Sequence, residues 1–390
     1  MTEAYLDHVS ATSVLSEVRE AMLPWLGERY GNPSSLHSRG QKAREAMDSA
    51  REQVAALIGA RPDEIIFTSC GTESNNLAVK GLAQASKGTH VLLSAIEHVS
   101  VLTPAKSLKR AGFEVETLPV DKYGMVNPAD VAAKIRPDTA LVSVMLANNE
   151  IGTIEPLAEI SKITREKGVL LHSDAVAAAG SIPIDVVALG VDALSLAANQ
   201  FYGPPGAAAL WLKSGLKIAR QLEGGFQEDG RRAGSENVPA LAGMGKAAEL
   251  ARLEMSKRTA HLTGLRDRML KEIPERVPHT FVTGHPTQRL PGHASFVIQF
   301  VEGEGMLLRL DLTGISVSSV SACTSKALKA SHVLLAAGID QTISQGSVVF
   351  SAGIMTTNEE IDYVMETLPQ VIDRLRQMSP LYAKFLKENK

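Results

Sequence analysis

Three stretches of the sequence set chemically capable side chains among small residues. The first is Ser69-Cys70-Gly71-Thr72, which follows one apolar run and precedes a helical pattern. Backbone N–H groups at a helix start, with hydroxyls alongside, form a cradle for phosphate, although most turns of this composition only cap the helix. The second is His172-Ser173-Asp174-Ala175, at the end of the apolar run Val169-Leu170-Leu171. Ligands of open α/β sheets bind beyond the carboxyl ends of the strands. A carboxylate there could hold a protonated ring nitrogen, or could simply cap the next segment. The third is Ser321-Ala322-Cys323-Thr324-Ser325, ahead of a helical segment that contains Val333, Leu334 and Leu335. A helix start and the nearby Lys326 and Lys329 both raise the thiolate fraction of a cysteine, so Cys323 is expected to be reactive and not merely structural.

These stretches need a scaffold, and the hydrophobic pattern supplies one. From Gly40 to Ile58, Ala43, Ala46, Met47, Ala50, Val54, Leu57 and Ile58 recur at three- and four-residue intervals opposite a charged face, which predicts an amphipathic helix. Glu64 to Thr68 predicts a strand, and a helix follows through Leu77, Val79 and Leu82. Further apolar runs lie at His90–Leu93, Ala140–Leu146, Val169–His172, Ala193–Ala198 and Ala207–Leu212. Continuous apolar strands alternating with helices predict a mostly parallel sheet covered on both faces. Beyond Glu236 the pattern turns to long helices, Asn237–Glu254 and Met255–Glu272, then a mixed segment and a last helix, Asn358–Met378. The expected organisation is a large α/β domain over 16–258. A smaller α+β domain is expected from 1–15 and 259–390, carrying the Cys323 loop.

Composition removes several function classes. The 390 residues carry a net charge of −3, without the basic footprint of a nucleic-acid binder. Two cysteines exclude a disulfide framework and a four-cysteine zinc site, and suit a reducing compartment. The N-terminus has no secretory pattern. One uncharged stretch, Ala193 to Leu212, is long enough to span a bilayer. It contains Asn199, Gln200, Gly203, Pro204, Pro205 and Gly206, poor material for a membrane helix. A soluble, cytoplasmic protein with neither membrane nor nucleic-acid partner is expected.

Taken in order, several blocks resemble the cysteine desulfurases, pyridoxal-phosphate enzymes of the class V aminotransferase group. They are Gly31-Asn32-Pro33-Ser34-Ser35, Thr72-Glu73-Ser74, Glu97-His98, Asn148-Asn149-Glu150-Ile151-Gly152, Asp174-Ala175, Tyr202-Gly203-Pro204, Gly234-Ser235-Glu236-Asn237 and the Cys323 stretch. The resemblance runs from about Tyr5 to Leu386. It implies the fold type I pyridoxal-phosphate architecture and a homodimer with active sites at the subunit interface. It further implies phosphate contacts at Gly71 and Thr72, a ring-stacking His98, and Asp174 on the pyridinium nitrogen. Asn149 would meet the cofactor hydroxyl or the substrate, and Ser235 the phosphate of the neighbouring subunit. Cys323 would be the nucleophile that carries sulfur as a persulfide.

The resemblance breaks where the family carries its Schiff-base lysine. Ala197-Ala198-Asn199-Gln200-Phe201-Tyr202-Gly203-Pro204 stands in place of Ser-x-His-Lys before Tyr-Gly-Pro. A glutamine amide cannot form an imine, because its nitrogen lone pair is delocalised into the carbonyl. The phosphate-facing serine is Ala197, the histidine is Asn199, and the lysine that often follows Tyr-Gly-Pro is Pro205. The cofactor-bonding glutamine is Ala177, and the substrate-carboxylate arginine is Ile354. Val320 replaces a glycine before Ser-Ala-Cys. Loss of a positioned acid–base alone costs about 10²–10⁴-fold in rate.

The expectation is therefore a desulfurase-like pseudoenzyme in sulfur mobilisation and iron–sulfur cluster assembly, with pyridoxal phosphate absent or non-covalent. It would act as a partner or scaffold component through Cys323, by accepting sulfur or by ligating a cluster shared with a U-type scaffold protein. One alternative is an active desulfurase that releases alanine from L-cysteine and forms a Cys323 persulfide with non-covalently held cofactor. Another is a regulatory module that heterodimerises with an active homologue. Cys70 is expected to fill space in the phosphate turn.

Overall fold

The computed structural model describes residues 3–319 and 330–389, so Cys323, Lys326, Lys329 and Val320 lie outside the described residues. The chain order begins β1 (Ala4–Tyr5), α1 (Ser16–Met22), α2 (Ser38–Leu57), β2 (Ile65–Thr68), α3 (Gly71–Ala85), β3 (His90–Ser94), α4 (Val99–Leu108) and β4 (Glu114–Leu118). It continues through α5 (Pro128–Lys134), β5 (Thr139–Ser143), α6 (Leu157–Lys167), β6 (Leu170–Asp174), α7 (Val186–Leu189), β7 (Ala193–Ala197) and β8 (Ala208–Leu212). The remainder is α8 (Val238–Arg276), β9 (Thr280–Val282), β10 (His293–Ile298), α9 (Gly303–Asp311), β11 (Ile315–Ser316), α10 (His332–Ala336), α11 (Gln341–Ser344), β12 (Ser347–Ser351), α12 (Asn358–Gln377) and α13 (Pro380–Glu388).

Seven strands form the main sheet in the order β2-β8-β7-β6-β5-β3-β4. Only β8 runs antiparallel to its neighbours, so the mostly parallel sheet expected from the apolar runs is present. Successive side chains of a strand point to opposite faces, and the strands divide accordingly. Leu92, Ala209 and Trp211 enter the core under α2 and the first half of α8. Val91, Leu93, Leu210 and Leu212 enter the core under α3 and α4. Burial on both faces is why these strands read as continuous apolar runs.

A further core lies under the C-terminal half. Leu262, Leu265, Met269 and Ile273 of α8 pack with Phe296, Phe350, Ile361, Val364, Leu368 and Ile372, and with Ala4 and Leu6 from the N-terminus. Its sheet is antiparallel, in the order β12-β10-β9. Two helices were expected between Asn237 and Glu272; the structure has one, α8, of 39 residues. Neither glycine nor proline interrupts the expected junction at Glu254-Met255, and Arg258 pairs with Glu254 across it at 3.0 Å. The helix containing Val333–Leu335 begins at His332 with Ser331 as its N-cap. The expectation that this helix starts at the Cys323 turn is therefore corrected. No helix among the described residues is long and apolar enough to cross a membrane.

Candidate active-site cavity

A cavity of about 510 Å³ opens where β2, β3, β5, β6 and β7 end. Strand β6 finishes on Asp174, whose Oδ1 accepts the Val176 N–H at 2.9 Å and whose Oδ2 accepts Asn75 Nδ2–H at 2.6 Å. Asn75 lies on α3 three residues beyond Thr72 and so shares its face. Its Nδ2 also donates to Ser100 Oγ at 2.8 Å. Ser100 in turn meets His98 Nδ1 through its Oγ at 2.7 Å and donates its backbone N–H to the same nitrogen at 3.2 Å. Because His98 Nδ1 accepts both, a neutral imidazole carries its proton on Nε2. One polar chain thus runs from Asp174 to His98 through two helix starts.

The N-terminus of α3 forms the next part of the wall. The Cys70 side chain does not cap it, so its first N–H groups remain available to an anion. Gly71 is required there: a Cβ would approach Val176 Cγ2 to 2.8 Å. The turn is held from behind by Glu73, which accepts from the Ser69 N–H at 2.8 Å and from Arg232 Nε at 2.7 Å.

Burial governs the acid–base character of this region. It pushes the Asp174 carboxyl above its ordinary range, opposed by the Val176 and Asn75 donors and by His98. Burial likewise raises Glu97 to about 8 and Glu150 to about 7. Glu150 Oε2 accepts the Ser331 hydroxyl, which pulls its carboxyl back down. His172 is buried between Ser143 and Ser195, and burial lowers its imidazole to about 3, a neutral member of the sheet.

Gly71, Thr72, His98, Asn149 and Asp174 all line the cavity, together with Ala177, Ala197, Asn199 and Gln200. Ser235 does not; it is exposed on the loop before α8. Ile354 does not either. Its N–H donates to Tyr202 Oη at 2.8 Å and its side chain packs against the C-terminal core. Gln200 donates Nε2–H to the Val9 carbonyl at 3.1 Å. The Asn199 carbonyl accepts the Thr12 hydroxyl at 2.9 Å. No lysine or arginine lines the cavity among the described residues. Sequence reasoning gave no role to Asn75, Ser100, Glu150, Ser331 or His332. Asn75 alone carried a usable signal, its one-turn spacing from Thr72.

Residues 4–364 match the model of the class-V aminotransferases. The chain is 48% identical over 390 residues to the protein named cysteine desulfurase IscS of Dictyoglomus turgidum, covering 100% of this chain and 99% of that one. It is 47% identical over 382 residues to the IscS of Methanosarcina thermophila, covering 97% of this chain and 94% of the relative. The chain belongs to the cysteine desulfurase branch of the class-V aminotransferases. A solved NifS-like protein superposes with a TM-score of 0.90 at 34% identity, covering 96% of this chain and 100% of that one. A NifS-like protein from Rickettsia africae gives 0.87 at 30%, covering 95% and 100%. The fold type I architecture of pyridoxal-phosphate enzymes expected from the motifs is thereby present.

The cavity fits the family's cofactor at three points. Asp174 is a buried carboxyl without a cationic hydrogen-bond partner, the complement of a protonated pyridine nitrogen. Asn75 Oδ1 is buried without a partner. The uncapped α3 terminus suits a phosphate. Among the described residues, no group of three or more His, Cys, Asp or Glu side chains is arranged for a metal ion. The iron–sulfur role considered for Cys323 falls on a residue outside those described.

Proposed function

We propose that the chain mobilises sulfur from L-cysteine for iron–sulfur cluster assembly, holding pyridoxal phosphate in the cavity without a lysine link. The observation that carries this reading is the buried Asp174 carboxyl, fixed by Asn75 and Val176 on the same wall as the uncapped start of α3. The names of the full-length relatives support an active desulfurase over an inactive one.

Gly71 and Thr72 would hold the phosphate, Asp174 would keep the proton on the ring nitrogen, and Asn149 would meet the ring hydroxyl. His98 would lie against the ring, with its Nε2 left to exchange a proton because Nδ1 is committed to Ser100. When bound, the cofactor supplies an electron sink for the substrate α-carbon. The Cys323 thiolate would take the sulfur of L-cysteine, giving alanine and a Cys323 persulfide. Ser235 would complete the phosphate site of a second subunit in a homodimer, and a U-type scaffold protein would receive the sulfur.

A second reading keeps the chain in the same process without catalysis. It would be a partner of the scaffold acting through Cys323, or a heterodimer partner of an active homologue. The described lining supports it, having no lysine or arginine, with Gln200 bonded to Val9 and Ile354 packed in the other core. Alanine release from L-cysteine with added pyridoxal phosphate separates the two. Release that is lost in Cys323→Ala supports the enzyme. Release no greater than that of the cofactor alone leaves the partner role, which then requires Cys323→Ala to reduce scaffold binding or cluster yield.

A further inference from the structure

The loop that carries Asn149 and Glu150 into the cavity is held from outside it. Both residues line the cavity between β5 and α6, and the peptide that joins them is fastened at each end. Its N–H, that of Glu150, donates to Asn148 Oδ1 at 2.8 Å. Its carbonyl, that of Asn149, accepts His293 Nε2–H at 2.9 Å. His293 opens β10, is 3% exposed, and is not among the lining residues, so it reaches the loop from the C-terminal sheet. A carbonyl oxygen can only accept, so Nε2 carries the ring proton. Burial, with the Arg289 guanidinium beside it, lowers the imidazole to about 3, which leaves Nδ1 bare. That nitrogen is buried without a partner and lies against Gly152, where a Cβ would approach it to 2.7 Å. An unpartnered buried nitrogen destabilises, so packing alone does not account for an imidazole at this position. What distinguishes it from a hydrocarbon is the Nε2–H donor to Asn149.

We infer that His293 is a positioning residue for the cofactor site: by holding the Asn149 carbonyl, it fixes the direction in which the Asn149 side chain leaves the backbone toward the ring hydroxyl. This role rests on the reading that Asn149 meets the hydroxyl of pyridoxal phosphate. It makes that contact depend on a residue of the other core.

A double-mutant cycle on pyridoxal phosphate binding, by calorimetric titration of the full chain without substrate, tests it. Glutamine and methionine have unbranched side chains of the same length, and only glutamine keeps an N–H donor. His293→Met should weaken binding about ten-fold, the scale of one lost hydrogen bond, while His293→Gln should stay within about two-fold of the wild type. Asn149→Ala should weaken binding about ten-fold. Adding His293→Met to Asn149→Ala should then cost no more than about two-fold further, because the two act as one unit. Thermal melting verifies that each variant is folded, with His293→Leu as the donor-free variant should methionine not be tolerated. Equal binding by the donor-free and glutamine variants overturns the positioning role. A further loss of the same size in the Asn149→Ala background also overturns it, since His293 would then act without Asn149. Both results leave the cofactor site intact. Binding that Asn149→Ala leaves unchanged overturns the Asn149 contact together with the positioning role, and failure of the wild type to bind overturns the cofactor site beneath both.

Discussion

The two sides of the cavity invest their polar groups differently. On the side formed by β6, α3 and α4, Asp174, Asn75, Ser100 and His98 are bonded to one another in a line. The line ends at groups that a ligand could complete: a raised carboxyl, an unpartnered amide oxygen and a ring nitrogen. Beyond β7, the polar groups are turned back onto the chain. Gln200 bonds Val9, and the Asn199 carbonyl receives Thr12. The first side gains from a ligand, whereas the second is largely satisfied by its own backbone. Under the proposed function, holding a cofactor and bonding covalently to it would be separable properties of one cavity.

The sharpest attempt to break that contrast is Gln200→Lys. Borohydride reduction with pyridoxal phosphate should add a cofactor mass to the variant and none to the wild type, by intact-protein mass spectrometry. An adduct on the wild type that peptide mapping places on a lysine at the cavity would mean that some other lysine reaches it. Next in size is Asp174→Ala, expected to weaken pyridoxal phosphate binding about 100-fold, the scale of a lost buried charge pair. An unchanged dissociation constant would place the cofactor elsewhere.

Glu97 gives a smaller, pH-dependent effect. Its carboxyl is buried near Asp174 and Glu155, and its pKa is raised from 4.5 to about 8. Between those values the folded state holds a proton that the unfolded state has lost, so rising pH drains stability across this window. Glu97→Gln should melt with the wild type near pH 4.5 and a few degrees above it near pH 8. Equal melting at both would remove the burial cost. The smallest change is Cys70→Ala, expected to alter cofactor affinity by no more than about two-fold, because alanine leaves the start of α3 uncapped. A large loss of affinity would give Cys70 a role beyond filling the turn.

Sequence order reveals one side of the cavity better than the other. Asp174 and Gly71 were readable because Asp174 ends an apolar strand and Gly71 opens a helix just after one, places where α/β sheets present ligand groups. Ser100 and Glu150 were not, because their partners Asn75 and Ser331 are tens to hundreds of residues away. Strand β4 escaped for another reason. It lies at the sheet edge, with Glu114 and Glu116 interrupting its apolar positions, so it lacks the continuous run that marks the central strands. Ile354 resembles a substrate residue only by its place in a motif; its packing could be learned only from the fold.

Helix α8 joins the two cores. Its 39 residues make a rod of about 58 Å at 1.5 Å per residue. One half is embedded beneath the main sheet and the other in the C-terminal core. Near its middle, the Arg258 guanidinium lies 5.5 Å from the centre of the Tyr202 ring, and Tyr202 holds the Ile354 backbone. A free hinge between the two cores would have to bend this beam. The helix therefore acts as the chassis that keeps the two cores in register.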